Sequence, residues 1–275
     1  MSARIRLFET TPASPPRSRR SIQDLVAPLE QIARRSPNLV AQRDARFEVN
    51  GETHELPKYI FIGPKGGGIP IRVGIFAAIH GDEPEGAHVL VHLVKSLDAS
   101  PELAAGYCLS LYPVCNPTGF EDNTRRSRSG RDLNREFWRN SAEPEVRLLE
   151  TELANNAFDG IISLHTHDVG DGLYGLTRGV TLTKHLIEPA LKAAEAFLPR
   201  DERTVIEGSP ARHGVIRDAA EGTLSAPPKS KPRPFEITLE TPKSPPSYLK
   251  EYAIVVALQT ILTEYRHLIA YAPNL

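Results

Sequence analysis

Apolar residues at Ile22, Leu25, Val26, Leu29 and Ile32 follow the three-and-four spacing of a helix with one buried face. Ser21 stands before them as an N-cap and Pro37 closes the segment, so a helix is expected over residues 22–35. The pattern then changes to alternation over residues 40–49 and 58–63, joined by Asn50-Gly51, a strong hairpin turn signal. Pro64-Lys65-Gly66-Gly67-Gly68 is a loop, and the apolar run 71–79 reads as a buried strand. Helical spacing resumes over 86–97, and residues 108–114 are again strand-like. The stretch 116–131 is polar and rich in arginine, which predicts a long surface loop. Pro144 opens a helix to Asn155, residues 160–164 form a short buried strand, and residues 235–239 form another. Further helices are expected over 182–197 and 247–269. Strands alternating with helices predict an α/β sandwich around a largely parallel sheet, with functional loops at the carboxyl ends of its strands.

Composition narrows this little but usefully. In 275 residues, 40% hydrophobic and 24% charged content suffices for a real core, and a single domain over residues 21–275 is expected. A net charge of −1 carries no electrostatic footprint of a nucleic-acid or membrane-surface partner. No run approaches the roughly 20 apolar residues of a membrane span. Residues 1–20 are basic and rich in Ser and Pro, without the apolar stretch of a secretory signal, and read as a solvated, flexible arm. Cys108 and Cys115 point to opposite faces of one extended segment and are read as unbridged core residues. Unbridged cysteines fit a reducing, cytoplasmic compartment.

The chemistry concentrates at three strand ends. The strand ending at Ile79 hands over to His80-Gly81-Asp82-Glu83, an imidazole and a carboxylate that can face one cation; such donors suit Zn²⁺. The strand ending at Leu164 hands over to His165-Thr166-His167, and the strand ending at Leu239 to Glu240-Thr241-Pro242. A third ligand beside His80 and Glu83 would leave one coordination position open, the layout of a catalytic zinc site. His165 and His167 lie two residues apart, share a face of an extended chain, and both qualify as that ligand. Between these ends lie Asn116-Pro117-Thr118-Gly119-Phe120 and the arginine-dense block 125–135. In a hydrolase such a loop supplies positive charge for a carboxylate and a developing oxyanion.

Taken in order, HxxE, NPxGF, TRxxxxGxDLNR, LH and TxE resemble the zinc carboxypeptidases and their aspartoacylase and succinylglutamate desuccinylase relatives. The block 116–135 is similar to short bacterial members, including those that cleave γ-D-glutamyl-diaminopimelate in murein peptides. The resemblance implies a three-layer α/β/α sandwich with a mixed, mostly parallel sheet. It implies His80, Glu83 and His165 as ligands of one zinc per chain, and Arg125 as the oxyanion donor, with Arg126 and Arg128 competing for that role. Asn134 and Arg135 would hold a substrate carboxylate, and Glu240 would be the general base that activates water and then protonates the leaving amine.

The implied function is hydrolysis of an amide bond beside a carboxylate-bearing residue, in a peptide C-terminus or a murein-type γ-glutamyl peptide. Cleavage of an N-acyl amino acid is the alternative within the same class. Aspartoacylase-type relatives usually carry a further β-domain after the base, whereas here 35 residues follow Glu240, which tilts the expectation toward a peptidase. The chain departs from the digestive carboxypeptidases in having no Tyr between Gly175 and Glu240, and many relatives have Asp where Leu164 stands before the third ligand. A non-catalytic zinc-binding domain would have lost a ligand, Arg125 or Glu240; none is lost.

Overall fold

The computed structural model describes residues 19–217 and 221–271. The chain opens with α1 (Ile22–Ala33), then β1 (Leu39–Gln42), β2 (Arg46–Val49), β3 (Glu52–Glu55), β4 (Lys58–Ile62) and β5 (Ile71–Ala77). It continues through α2 (Glu85–Ala99), β6 (Tyr107–Tyr112), α3 (Pro117–Asp122), α4 (Pro144–Asn155), β7 (Gly160–His167) and β8 (Tyr174–Thr177). A bent helical stretch follows, from α5 (Val180–Leu182) through a π-type turn to α6 (Glu188–Ala194). The short strands β9 (Val205–Ile206), β10 (Ser209–Arg212) and β11 (Val215–Ile216) precede β12 (Phe235–Pro242) and the long α7 (Ser247–Tyr271).

Ten strands form one mixed sheet in the order β1-β4-β6-β5-β7-β12-β8-β11-β10-β9, and β2 and β3 form a separate ribbon. Its centre, β6-β5-β7-β12, is parallel, and antiparallel strands flank it on both sides. Buried on both faces, these central strands carry near-continuous apolar runs such as Val73 to Ala77 and Ile161 to Leu164. On one face α1, α2, α6 and α7 pack against Val73, Ile75, Leu109, Ile162 and Leu239. On the other, α4 and the segment around Phe137 cover Phe76, Tyr112 and Ile161. The result is the expected α/β/α sandwich. Because β5, β7 and β12 are parallel neighbours, their carboxyl ends open on the same edge of the sheet.

Several expectations need correction. The first helix stops at Ala33, although Ser21 caps it as anticipated, accepting from the Asp24 amide at 3.0 Å. Asn50-Gly51 does form a turn, at φ 52° and 79°, but it joins β2 to β3, while β1 pairs with β4. The segment 116–131 is not all surface loop: residues 116–120 are buried, and Asn116 caps α3 by accepting from the Gly119 amide at 2.9 Å. Strands β7 and β12 each run three residues beyond the apolar stretch that announces them, because the pairing persists through Pro242 and His167. Of the basic arm, residues 1–18 lie outside the described residues, but Arg19 and Arg20 are docked. Arg19 pairs with Glu52 at 3.1 Å and Arg20 donates to the Gly81 carbonyl at 2.9 Å. Cys108 and Cys115 are unbridged, the latter fully buried. Among the described residues no helix is long and apolar enough to cross a membrane.

Candidate metal centre and catalytic cleft

The turn after β5 is built to present His80 and Glu83. The Ala77 and Ala78 carbonyls accept from the Cys115 and Asn116 amides, at 2.9 and 3.0 Å, so β6 and its exit hold the turn from one side. Asn116 also donates through Nδ2 to the Ile79 carbonyl at 3.3 Å. Gly81 packs on the backbone of Gly119, where a Cβ would come within 1.9 Å of the carbonyl carbon, so only glycine fits. The Glu83 amide donates back to the His80 carbonyl at 3.2 Å, which brings the two side chains onto one side.

His165 completes a buried trio with them. His80 Nδ1 lies 2.7 Å from Glu83 Oε1 and 3.3 Å from His165 Nδ1, and His165 Nδ1 lies 3.1 Å from Glu83 Oε2. One ligand atom from each residue falls within 4.8 Å of the other two, and all three residues are at least nine-tenths buried. The opposite ring nitrogens are engaged: His80 Nε2 by Asp132 Oδ1 at 3.2 Å, and His165 Nε2 by Ser163 Oγ at 2.9 Å. The Asp132 carboxylate accepts from His80 Nε2 and so leaves the His80 Nδ1 lone pair facing the trio, while Ser163 holds the His165 ring in place. Two imidazole nitrogens and a carboxylate converging in a buried space form a donor set suited to a cation. Burial alone would lower the His80 pKa, yet Asp132 and Glu83 raise it above its ordinary value. Burial alone would likewise raise Glu83, yet His165 and His80 hold it down at about 2. The donor set, two nitrogens and one carboxylate, fits Zn²⁺ with a position left open.

The other candidates sort clearly. Glu240 stands opposite His165 in the β7–β12 register and lines the same cleft. Enclosure pushes its carboxyl up to about 8, with the Glu83 and Glu207 carboxylates adding to the rise and His165 and Arg125 opposing it. A dication held by the trio would likewise oppose that rise and favour the ionised base. Arg125 Nη1 lies 3.2 Å from His80 Nδ1 and 3.4 Å from Glu83 Oε1, and its Nε donates to Asp132 Oδ2 at 3.2 Å. Arg126 donates to the Gly130 carbonyl, and Arg128 is locked among Asp122, Glu121, Glu52 and His54; neither lines the cleft. Asn134 and Arg135 do line it. Asn134 Oδ1 accepts from the Leu224 amide at 2.8 Å, and exposed Arg135 donates to the Asn134 carbonyl at 2.7 Å.

His167 also borders the cleft but does not join the trio: its Nε2 donates to the Gly172 carbonyl at 3.0 Å and its ring packs 4.7 Å from that of Tyr174. Tyr174 itself is fully buried beside Ile206 and Ile216, a packing position. His92 pairs with Glu251 at 3.0 Å, away from the cleft.

Sequence reasoning left Asp132 without a role, although it is the hub joining His80, Arg125 and the Asn134 amide. Its only signal was its place in the arginine block. Thr238, the Thr of the TxE motif, and Lys243, just beyond it, also line this cleft of about 270 Å³, as does Glu207, which comes from a segment with no readable motif.

Residues 70–197, a little under half of the chain, match the succinylglutamate desuccinylase/aspartoacylase catalytic domain. No curated protein matches the sequence. Among solved structures, one assigned as a metallopeptidase from Shewanella denitrificans superposes with a TM-score of 0.70 at 21% identity, covering 88% of this chain and 89% of that one. A metallo-carboxypeptidase from Burkholderia cenocepacia gives 0.71 at 16% identity, covering 91% and 70%. Thrombin activatable fibrinolysis inhibitor gives 0.69 at 17% identity, covering 89% and 74%.

Proposed function

We propose that this chain is a zinc hydrolase that cleaves an amide bond beside a carboxylate-bearing residue, a reading supported by its fold, shared with solved metallo-carboxypeptidases, and by the match of residues 70–197 to the succinylglutamate desuccinylase/aspartoacylase catalytic domain. The observation that carries this reading is the convergence of His80, Glu83 and His165 with Glu240 and Arg125 in one cleft, at the ends of three adjacent parallel strands. His80 Nδ1, Glu83 and His165 Nδ1 would hold the metal, which when bound acidifies water and polarises the scissile carbonyl.

The protein's own groups do the rest. Glu240 takes the proton of the attacking water and returns it to the leaving amine, as a carboxyl beside the open position can. Arg125 donates to the oxyanion as the carbonyl becomes tetrahedral; one such donor contributes roughly 3 kcal/mol to the transition state. Arg135 meets the substrate carboxylate with a planar fork, and the Asn134 amide lies beside it. Asp132 fixes the tautomer of His80, and Ser163 holds the ring of His165.

The first substrate class is a small peptide with a free carboxylate, at its C-terminus or in a γ-glutamyl linkage of the murein type. The domain match supports a second class, N-acyl amino acids. Hydrolysis of both classes by the zinc-loaded enzyme tests the reading. Release of an amine that stops on chelation supports it and selects the class; a zinc-loaded enzyme inert toward both contradicts it.

A further inference from the structure

An ion pair built on a buried lysine lies off the cleft and is tied to the segments that carry His80 and Glu83, His165, and Glu240. Lys250 of α7, only 2% exposed, donates from Nζ to Glu85 Oε1 at 2.7 Å and to the Lys243 carbonyl at 3.2 Å. The other Glu85 oxygen accepts from Thr166 Oγ1 at 3.3 Å, and the Thr166 amide donates to Glu83 Oε2 at 3.0 Å. Thr166 Oγ1 also lies 3.3 Å from Thr241 Oγ1, which donates to the His165 carbonyl at 3.1 Å. Thus Glu83, His165 and Glu240 are each followed within two residues by a member of one network: Glu85, Thr166 and Thr241.

Burying a lysine against a largely enclosed glutamate gives little net stability over apolar residues of the same size. Their placement therefore calls for a role other than holding α7 to the sheet. Neither residue lines the cleft, so neither touches substrate. We infer that Lys250 and Glu85 are positioning residues, which fix Thr166 so that its amide holds Glu83 Oε2 in the orientation that faces the two histidines. This rests on the metal reading proposed above.

A second buried lysine supplies the control. Lys58 of β4 donates to Glu152 of α4 at 2.6 Å, and neither residue lines the cleft. The experiment is titration of the chelator-stripped full chain with Co²⁺, read by absorbance, with melting of the metal-free protein in parallel. Lys250→Met is expected to weaken binding by up to about 10-fold, the low end of the effect of losing a direct outer-shell partner. Lys250→Arg is expected to recover most of it, and Lys58→Met to lower the melting temperature without changing metal affinity. The inference is overturned if Lys250→Met binds Co²⁺ as tightly as the parent, or if Lys58→Met weakens binding equally, since general loosening would then explain the effect. Should Lys250→Met fail to fold, Thr166→Val removes only the hydroxyl's bonds; weaker binding supports the inference and unchanged binding overturns it. A parent protein that binds no Co²⁺ refutes the metal reading itself, an outcome distinct from these.

Discussion

Asp132→Asn removes one charge from the residue that touches most of the candidate machinery while keeping its shape. In the parent, Oδ1 accepts from His80 Nε2 at 3.2 Å and from the Asn134 amide at 3.1 Å, and Oδ2 accepts from Arg125 Nε at 3.2 Å. Burial alone would raise this carboxyl, but His80, then Arg125 and Arg135, hold it well below the usual carboxylate range. It is therefore ionised, and each bond it accepts is charge-assisted. Asparagine keeps one acceptor for His80 and turns an amide donor toward the Arg125 guanidinium. Loss of such a partner costs about 10- to 100-fold in metal affinity, or roughly 1.4–2.7 kcal/mol. Arg125 loses its anchor as well, so turnover at saturating zinc is expected to fall further, by up to about 10²-fold, part of the effect of removing an oxyanion donor outright. Competition titration against a zinc chelator measures the first term, and kcat at saturating zinc the second. A variant that binds zinc within a factor of about two of the parent would show that Asp132 does not orient His80, and would refute the reasoning.

Three further outcomes follow from particular residues. Glu240→Gln is expected to lower kcat by about 10²- to 10⁴-fold with zinc content unchanged, because Glu240 is not one of the three converging donors; zinc lost along with turnover contradicts the assignment. Gly81→Ala drives a Cβ to 1.9 Å from backbone that cannot retreat easily, and is expected to lower the melting temperature and metal affinity together, with about 1–3 kcal/mol of overpacking; a neutral result would refute the tight Gly81–Gly119 contact. Burial alone would raise Glu152, but Lys58, Tyr112 and Asn156 hold it below the usual carboxylate range. A depressed folded-state pKa stabilises above the unfolded value, roughly 4.3, and that contribution is lost as pH falls through the folded value. The melting-temperature gap between parent and Glu152→Gln is therefore expected to close as pH drops below about 4, and a gap independent of pH would argue against an ionised Glu152.

Much of the fold was legible because the central strands announce themselves. Val73 to Ile79 is apolar on both faces and Ile161 to Leu164 is so but for Ser163, and Pro144 at a first helical turn marks α4 where it begins. The ends of β7 and β12 were harder to read, because His165-Thr166-His167 and Glu240-Thr241 keep the strand pairing while abandoning its apolar pattern. Function places polar residues there, and periodicity cannot see through them. Residues 170–228 contain β8 to β11, of two to four residues each, too short for alternation to register.

At the site, His80 and Glu83 could be paired from spacing because both lie on one short turn. The choice of His165 over His167 needs coordinates: both point to the cleft side, and only the engagement of His167 Nε2 by the Gly172 carbonyl sets it apart. The preference for Arg125 has a similar basis, since the four anionic or imidazole partners of Arg128 come from segments up to 76 residues away. Asp132 was unreadable for the same reason, its partner His80 being 52 residues distant.

The most direct test of the account is the zinc content of the chain after exposure to zinc and removal of excess, for the parent, His165→Ala and His167→Ala. The account predicts one zinc per chain in the parent, its loss in His165→Ala and its retention in His167→Ala. No zinc in the parent, or loss in His167→Ala but not in His165→Ala, would contradict it.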